Sequence, residues 1–328
     1  MDVLLTEVAF ARDGERLAAS APGVGWLRMD GDGTLRRDGT EVPRDEAAPE
    51  VAWGTGDLFD DGPMRPFLGL VSRVSSLRWF ASPAAGYDNP YFGDLVRRGI
   101  RVTTSHASSP SIAEYVIRAV LDAFQGADQW RAAQADREWR AHDRHREVAG
   151  STWLVIGLGA IGTEVARRAR TLGATVVCVR RSPTGDEPVD EVRTPDAVED
   201  VLPRAHAVVV CAPATPATHH LVDAAFLAAM KPRSVLVNVA RGDLVDEAAL
   251  LAALDTGAPG LAVLDVVSEE PLPPESPLWT HPAVVVTPHS SGRGLGRFDR
   301  AVDEFVDNLA RYRAGEPLRS ELTEADLP

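Results

Sequence analysis

The stretch TWLVIGLGAIGTEVARRARTLG (residues 152–173) decides the fold class of this 328-residue chain. An apolar run of strand length is followed at once by the pattern G-x-G-x-x-G and then by a helical segment. Glycines at this spacing permit a tight turn and let a pyrophosphate approach the unpaired N–H groups at the start of the helix. The stretch therefore predicts a dinucleotide site. The residues expected to contact the dinucleotide here are Gly157, Gly159, Ala160, Ile161 and Gly162.

Similar apolar runs follow this stretch and alternate with helical segments. With the first, they are 152–157, 175–179, 207–212, 234–239, 261–266 and 283–288. Runs without polar alternation are typical of strands buried on both faces of a parallel sheet. We therefore predict a Rossmann-type, doubly wound α/β domain over residues 108–292.

The rest of the chain predicts a second, smaller α/β domain of flavodoxin-like type. Residues 26–39 have the pattern of a hairpin that turns at Asp30–Gly33, and residues 76–82 and 100–105 have the pattern of strands. An amphipathic helix over 296–315 follows the last strand of the first domain. The second domain is thus expected to be discontinuous, formed by residues 1–107 and 293–328.

Two segments next to these domains carry more local predictions. Ser111 and Glu114 have the spacing of a capping box and predict a helix start at that point. Residues 129–150 are highly charged and predict a solvated helix or arm. Trp130 and Trp139 within it are alternatively expected to pack against a second subunit.

Composition and charge exclude several classes of protein. Hydrophobic residues make up 45% and charged residues 25%, which excludes a mostly disordered chain. The net charge of −14 disfavours nucleic acid as a partner. No apolar run approaches the length of about 18 residues that a membrane span needs, and the N-terminus lacks the basic start of a signal peptide.

The cysteines and the acidic residues predict no disulfide and no metal. Cys178 and Cys211 each lie in an apolar run, as buried thiols of a reducing cytoplasm would. Asp30, Asp32 and Glu41 approach the spacing of a calcium loop, but Leu35 stands where that loop needs glycine.

The residues after the second strand of the doubly wound domain bear on the choice of cofactor. NAD-binding sites of this type carry an acid there, about 20 residues after the glycine pattern, for the ribose hydroxyls. This chain has Arg180, Arg181 and Ser182 instead. Two guanidinium groups and a hydroxyl suit a 2′-phosphate, so NADP is predicted as the preferred cofactor, with NAD also possible. The alternative is that both arginines are solvated surface charges.

Later strands are followed by polar residues that a hydride-transfer site needs. VNVARGDLVDE (237–247) supplies Arg241, LDVVSEEPLP (264–273) supplies Asp265 and Glu270, and TPHSSG (287–292) supplies His289. Ligands of open α/β sheets bind beyond the carboxyl ends of the strands, where such residues converge. Taken singly, each also has a structural interpretation as a cap, a turn residue or a satisfied histidine. Further cofactor contacts are expected from Ala212, Pro213, Thr218, Val239 and Ala240.

These motifs, together with AAGYDN (84–89), SIAEY (111–115) and APATPATHHLVD (212–223), make the chain resemble the D-isomer-specific 2-hydroxyacid dehydrogenases, in the short form without a regulatory domain and most like glyoxylate/hydroxypyruvate reductases. The resemblance runs from about Ala84 to the end. It implies a cytoplasmic homodimer that reduces a 2-keto acid to a D-2-hydroxy acid with NAD(P)H.

The resemblance also implies roles for individual residues. His289 would donate the proton, or accept it in the reverse direction, and Glu270 would hold its ring. Arg241 would bind the carboxylate and keto oxygen of the substrate. The acid that contacts the nicotinamide falls on Asp265, and the loop whose amides bind the substrate carboxylate falls on Ala85 and Gly86. A plain strand-to-helix turn is the alternative for that loop.

Three other activities are compatible with the same motifs. A phosphite or other small-anion dehydrogenase would use the same three catalytic residues. A dinucleotide-sensing regulatory protein would use the cofactor site alone. A formate dehydrogenase is disfavoured, because it would have glutamine where Glu270 stands. The sequence does not define the 2-keto acid.

Overall fold

The computed structural model describes residues 1–60, 62–141 and 145–327. It divides into two compact units. The terminal unit consists of residues 1–108 and 294–328, and the central unit of residues 109–293. Among the described residues, no helix combines the length and the apolar character needed to cross a membrane.

The terminal unit has a seven-stranded sheet in the order β4-β3-β2-β1-β5-β6-β7. Its strands are β1 (Asp2–Thr6), β2 (Gly25–Met29), β3 (Leu35–Arg37), β4 (Thr40–Glu41), β5 (Val51–Trp53), β6 (Trp79–Ala81) and β7 (Arg101–Thr103). The β2-β1-β5-β6-β7 part is parallel and has the flavodoxin-like strand order. Strands β2 and β3 form the predicted hairpin, in which Gly33 N–H donates to Asp30 O at 2.9 Å.

The helices of the terminal unit include one from the far end of the chain. They are α1 (Glu7–Ser20), α2 (Met64–Val71), α3 (Pro90–Arg97) and α9 (Arg297–Ala314). The ring of Phe305 on α9 stacks on Trp53 at 4.5 Å and on Trp79 at 5.4 Å between centroids. Helix α9 ends at Gly315, whose φ of 71° closes the helix in a left-handed conformation. The C-terminal segment is therefore part of the core of this unit.

The central unit has a seven-stranded, fully parallel sheet in the order β10-β9-β8-β11-β12-β13-β14. Its strands are β8 (Thr152–Ile156), β9 (Thr175–Val179), β10 (Glu191–Arg193), β11 (Ala207–Val210), β12 (Val235–Asn238), β13 (Leu261–Leu264) and β14 (Val284–Val286). Its helices are α4 (Ser109–Gln125), α5 (Ala127–Ala135), α6 (Ala160–Thr171), α7 (Ala224–Ala229) and α8 (Glu247–Thr256). This is the doubly wound order with one further strand, so the predicted fold class is confirmed.

Both faces of the central sheet are covered, which explains its uninterrupted apolar runs. Leu154 and Ile156 of β8 belong to the core on one face, and Trp153 and Val155 to the core on the other. All four side chains are buried. The polar residues that follow these strands are thus held at the edge of a rigid core.

The structure bears on two local predictions in this unit, the capping box at Ser111 and Glu114 and the charged segment 129–150. The predicted capping box is wrong, because α4 begins at Ser109 and places Ser111 inside its first turn. In the charged segment, α5 covers the first part and Trp139 is fully exposed at 104%. Residues 142–144 of this segment lie outside the described residues.

Candidate active site

The glycine loop after β8 has the geometry that an anion-binding turn requires. Gly157 has a φ of 90°, and a Cβ there would lie 2.8 Å from the backbone of Ala212. A Cβ at Gly162 would lie 2.1 Å from Gly157 O. A Cβ at Gly159, by contrast, would meet no atom of the described residues within 4 Å. The first and third glycines are therefore needed for packing, and the second leaves open space in front of the helix.

The start of α6 fits the pyrophosphate of a dinucleotide. Thr163 N–H donates to Gly159 O at 2.9 Å, so the amides of Ala160, Ile161 and Gly162 precede the hydrogen bonds of the helix. No side chain of the described residues caps this end. Unpaired amides and the positive end of the helix dipole favour an anion.

The loop after β11 lies beside the glycine loop. Ala212 is buried, and Cys211 N–H donates to Ile156 O at 2.8 Å. The hydroxyl of Thr218 donates to Pro213 O at 2.7 Å and accepts from Thr215 N–H at 2.8 Å, which closes this loop on itself. The structure thus brings the predicted contacts Ala212, Pro213 and Thr218 into one ordered segment.

The residues after β9 show an acid that the sequence did not single out. The guanidinium of Arg180 contacts Glu187 Oε1 at 3.1 Å, whereas Arg181 and Ser182 are exposed. Hydrogen bonds from the backbone amide of Thr184, with further help from Gly185, lower the pKa of Glu187 to about 2. The alternative that both arginines are solvated surface charges is therefore wrong for Arg180, which forms an ion pair with Glu187.

Arg241 follows β12 in a segment fixed by a buried amide. Asn238 is fully buried, accepts from Ala240 N–H at 3.0 Å and donates to Arg241 O at 2.8 Å. Val239 and Ala240 are buried as well, and the Arg241 guanidinium donates to Ala240 O at 2.7 Å. Sequence reasoning missed Asn238; the signal was a polar residue at the end of an apolar strand.

Two contacts join the segment that carries Arg241 to the segment that carries Glu270. A Cβ at Gly242 would lie 2.0 Å from the carbonyl carbon of Val267, so the two backbones touch. In addition, Glu247 Oε1 accepts from Ser268 N–H at 2.7 Å. The turns after β12 and β13 are thereby held against each other.

Asp265 organises the turn that carries His289. Its carboxylate is 1% exposed and accepts from Thr287 Oγ1 at 2.6 Å, Ser290 N–H at 2.9 Å and Ser291 N–H at 3.0 Å. Its carbonyl accepts from His289 N–H at 2.8 Å. Because Thr287 donates to Asp265, the Tyr115 hydroxyl donates in turn to Thr287 at 2.7 Å. The structure shows these internal contacts, and the predicted contact with nicotinamide stays a prediction.

His289 and Glu270, two of the predicted catalytic residues, are joined by a hydrogen bond between their side chains. His289 Nδ1 lies 2.9 Å from Glu270 Oε2, with the side chains 51% and 40% exposed. A carboxylate can only accept, so Nδ1 carries the proton and Nε2 is directed to other partners. Arg241, Glu270 and His289 follow three adjacent strands, β12, β13 and β14.

Ala85 and Gly86 lie in the terminal unit, after β6. Both are half-buried, and the preceding Ala84 accepts from Ser105 N–H at 3.0 Å. Their predicted role stays a prediction. Within the described residues, no group of three or more His, Cys, Asp or Glu side chains could hold a metal ion.

The doubly wound sheet and its glycine loop are typical of dinucleotide-binding proteins, and the His–Glu pair lies at the same carboxyl edge. Comparison with known proteins narrows this class. Residues 117–291 match the family described as D-isomer specific 2-hydroxyacid dehydrogenase, NAD binding domain. The chain belongs to this family, and the predicted membership, with NAD(P) as the class of cofactor, is confirmed.

Three similar proteins illustrate the relationship. A glyoxylate/hydroxypyruvate reductase A of Photorhabdus laumondii is 34% identical over 62% of this chain and 64% of its own length, slightly less than two thirds. A glyoxylate reductase of Thermococcus gammatolerans is 32% identical over 80% of this chain and 77% of its own. A D-isomer specific 2-hydroxyacid dehydrogenase of Xanthobacter autotrophicus, solved with NADPH and MES, is 29% identical, has a TM-score of 0.78, and covers 98% of this chain and 97% of its own.

Proposed function

We propose that this protein reduces a 2-keto acid to the D-2-hydroxy acid with NAD(P)H. The observation that carries the proposal is the contact of 2.9 Å between His289 and Glu270, at the edge of the sheet where the glycine loop lies. A histidine oriented by a carboxylate is a common general acid, because imidazole changes its charge near neutral pH. The names of the relatives support the same reaction class.

Each residue has a definite role in this reaction. The reduced nicotinamide, when bound, supplies the hydride to the carbonyl carbon. His289 Nε2 donates the proton that the carbonyl oxygen acquires, and takes it back in the reverse direction. Glu270 orients the ring through its hydrogen bond with Nδ1. The Arg241 guanidinium binds the substrate carboxylate and offsets the negative charge that develops on the oxygen.

Both units contribute residues to the proposed function. The central unit binds the cofactor, through the amides of Ala160, Ile161 and Gly162 and through the loops after β11 and β12. Besides Arg241 of this unit, we propose Ala85 and Gly86, in the loop after β6 of the terminal unit, as substrate-binding residues. Asp265 contributes by holding the His289 turn and is proposed to contact the nicotinamide as well.

NADPH is proposed as the preferred cofactor. Arg181 and Ser182 are exposed after β9, where an NAD-specific protein of this fold carries an acid. The Xanthobacter relative was solved with NADPH. The guanidinium of Arg181 and the hydroxyl of Ser182 are suited to bind the 2′-phosphate, which NADPH carries and NADH lacks.

A panel of 2-keto acids tests the reaction and the cofactor together. With glyoxylate, hydroxypyruvate, pyruvate and phenylpyruvate, we expect NADPH oxidation at 340 nm with at least one acid. For that acid, kcat/KM should be about tenfold higher with NADPH than with NADH, the effect of one charge-assisted hydrogen bond. Chiral analysis should show the D-isomer. No turnover with any keto acid would contradict the proposed reaction, and a preference for NADH would contradict the cofactor choice alone.

We also propose that the protein is a homodimer. Trp139 is fully exposed in the charged segment of the central unit, and an exposed tryptophan is typical of interfaces. Light scattering should give twice the chain mass of 35.2 kDa. Trp139→Ser should shift the protein towards the monomer. A monomeric wild-type protein at all concentrations tested would rule the proposal out.

A further inference from the structure

The loop after β9 is folded around one acidic side chain, that of Glu187. This side chain is 2% exposed. The Thr184 hydroxyl donates to Asp186, and the Glu187 carboxylate accepts from the amides of Thr184 and Gly185, the latter at 2.9 Å. It also contacts the Arg180 guanidinium at 3.1 Å. The Glu187 carboxylate therefore binds two amides of the loop and the Arg180 guanidinium.

Arg180 is held at the position where a doubly wound fold binds the ribose of the adenosine. Gly157 N–H, in the glycine loop, donates at 2.9 Å to Val179 O, which directly precedes Arg180. Arg180 N–H donates at 3.0 Å to Arg193 O at the end of β10. The backbone of Arg180 is thus fixed beside the glycine loop, and its side chain is fixed by Glu187.

The net positive charge around Arg180 is consequently smaller than the sequence indicates. Glu187 is ionised at neutral pH, because hydrogen bonds from the loop lower its pKa to about 2. Its negative charge offsets the charge of Arg180 and repels any further anion placed there. Arg181 is exposed and has no ion pair within the described part of the chain, so its charge is available to a ligand.

We propose that Glu187 is a specificity-determining residue that offsets Arg180, so that Arg181 and Ser182 carry most of the recognition of the 2′-phosphate. The protein then accepts NADH to a measurable extent while it prefers NADPH. This inference rests on the proposed use of NADP. It concerns the strength of binding to the 2′-phosphate and not the reduction of the keto acid.

The test uses two nucleotides that differ only in the 2′-phosphate, 5′-AMP and adenosine 2′,5′-bisphosphate. Their dissociation constants are measured by titration calorimetry on the full chain. Glu187→Gln removes the charge and keeps one acceptor oxygen, which can accept from the amide of Thr184 or from that of Gly185 but not from both. We expect it to bind the bisphosphate about fivefold more tightly, the effect of one charge near the surface. Binding of 5′-AMP should change less than twofold, since the charge acts on the 2′-phosphate.

Arg180→Ser tests the same idea without altering Glu187. In the wild-type background we expect it to weaken bisphosphate binding less than about threefold, because Arg180 is already offset. In the Glu187→Gln background it should remove the whole gain, which is the coupling that a double-mutant cycle measures. Arg181→Ser should weaken bisphosphate binding more than Arg180→Ser does.

Glu191→Gln is the matched control. Glu191 lies on β10 and pairs with Arg193 and Arg204, so this variant removes the same charge from other partners. It should leave the dissociation constants of both nucleotides unchanged. Unchanged or weaker bisphosphate binding in Glu187→Gln would overturn the inference and leave the proposed function standing, as would a large loss in Arg180→Ser alone. A wild-type protein that binds neither nucleotide would overturn both.

Discussion

Asn in place of His289 is expected to lower kcat by about a thousandfold, the typical effect of losing a general acid. The amide still donates a hydrogen bond to Glu270 but cannot transfer a proton. Asn also tolerates the φ of 48° at this position better than most residues, so the turn should survive. Stopped-flow or steady-state measurement of NADPH oxidation gives kcat, and fluorescence titration gives the dissociation constant of NADPH.

His281→Asn is the matched control for this variant. His281 precedes β14, whereas His289 follows it, and its Nδ1 accepts only from Ala283 N–H at 3.1 Å among the described residues. This control should keep nearly normal turnover. In His289→Asn, the dissociation constant of NADPH should stay within about twofold of the wild-type value, because the lost interaction acts in the transition state. Near-normal turnover in His289→Asn would contradict the assignment of the general acid.

The fold of the central unit could be predicted because its strands are buried on both faces. The prediction for β9 agrees with the structure at both ends, Thr175 and Val179. Strands β11 and β13 end two residues earlier than predicted, at Val210 and Leu264. The residues beyond these ends, Cys211 and Ala212 after β11 and Asp265 and Val266 after β13, leave the sheet and enter the loops of the site. The hydrophobicity of a run alone does not show at which residue the strand ends and the loop begins.

The terminal unit was harder to predict for a different reason. Strand β5 has three residues, and β1 runs directly into α1 at Thr6. Segments this short contain too few residues to show a period of two or of 3.6. Their pairing with β6 and β2 is set by contacts that are distant in sequence, so the local pattern carries little information about it.

Among the site residues, the sequence predicted the charged and titratable side chains that follow strands, such as Arg241, Glu270 and His289. The residues that hold them in place were missed. Asn238 and Glu187 are each one polar residue in an ordinary sequence, and their importance depends on donors brought together by folding. Ser111 shows the opposite error, since a local capping pattern was overridden by a helix that starts at Ser109.

Gly242 shows how strictly the supporting residues constrain the site. A Cβ at this residue would lie 2.0 Å from the carbonyl carbon of Val267 and 2.2 Å from Ser268 N. Both are backbone atoms of the turn that leads to Glu270, so neither can rotate away. Relief of the clash must separate this turn from the segment that carries Arg241. Glu247, which binds Ser268 N–H, would be displaced with it.

Gly242→Ala is therefore expected to lower kcat/KM by about a hundredfold, the effect of misplacing catalytic groups by an ångström or so. The same overpacking should cost about 1–3 kcal/mol of the free energy of unfolding, measured by denaturant titration. Gly31→Ala is the control, since a Cβ there meets no described atom within 4 Å and both quantities should stay at their wild-type values. Wild-type kcat/KM in Gly242→Ala would show that the spacing of Arg241 and Glu270 does not limit catalysis. A loss of kcat/KM without a loss of stability would mean that the turns after β12 and β13 move apart without disturbing the core. A loss of both would mean that moving these turns apart also strains the core.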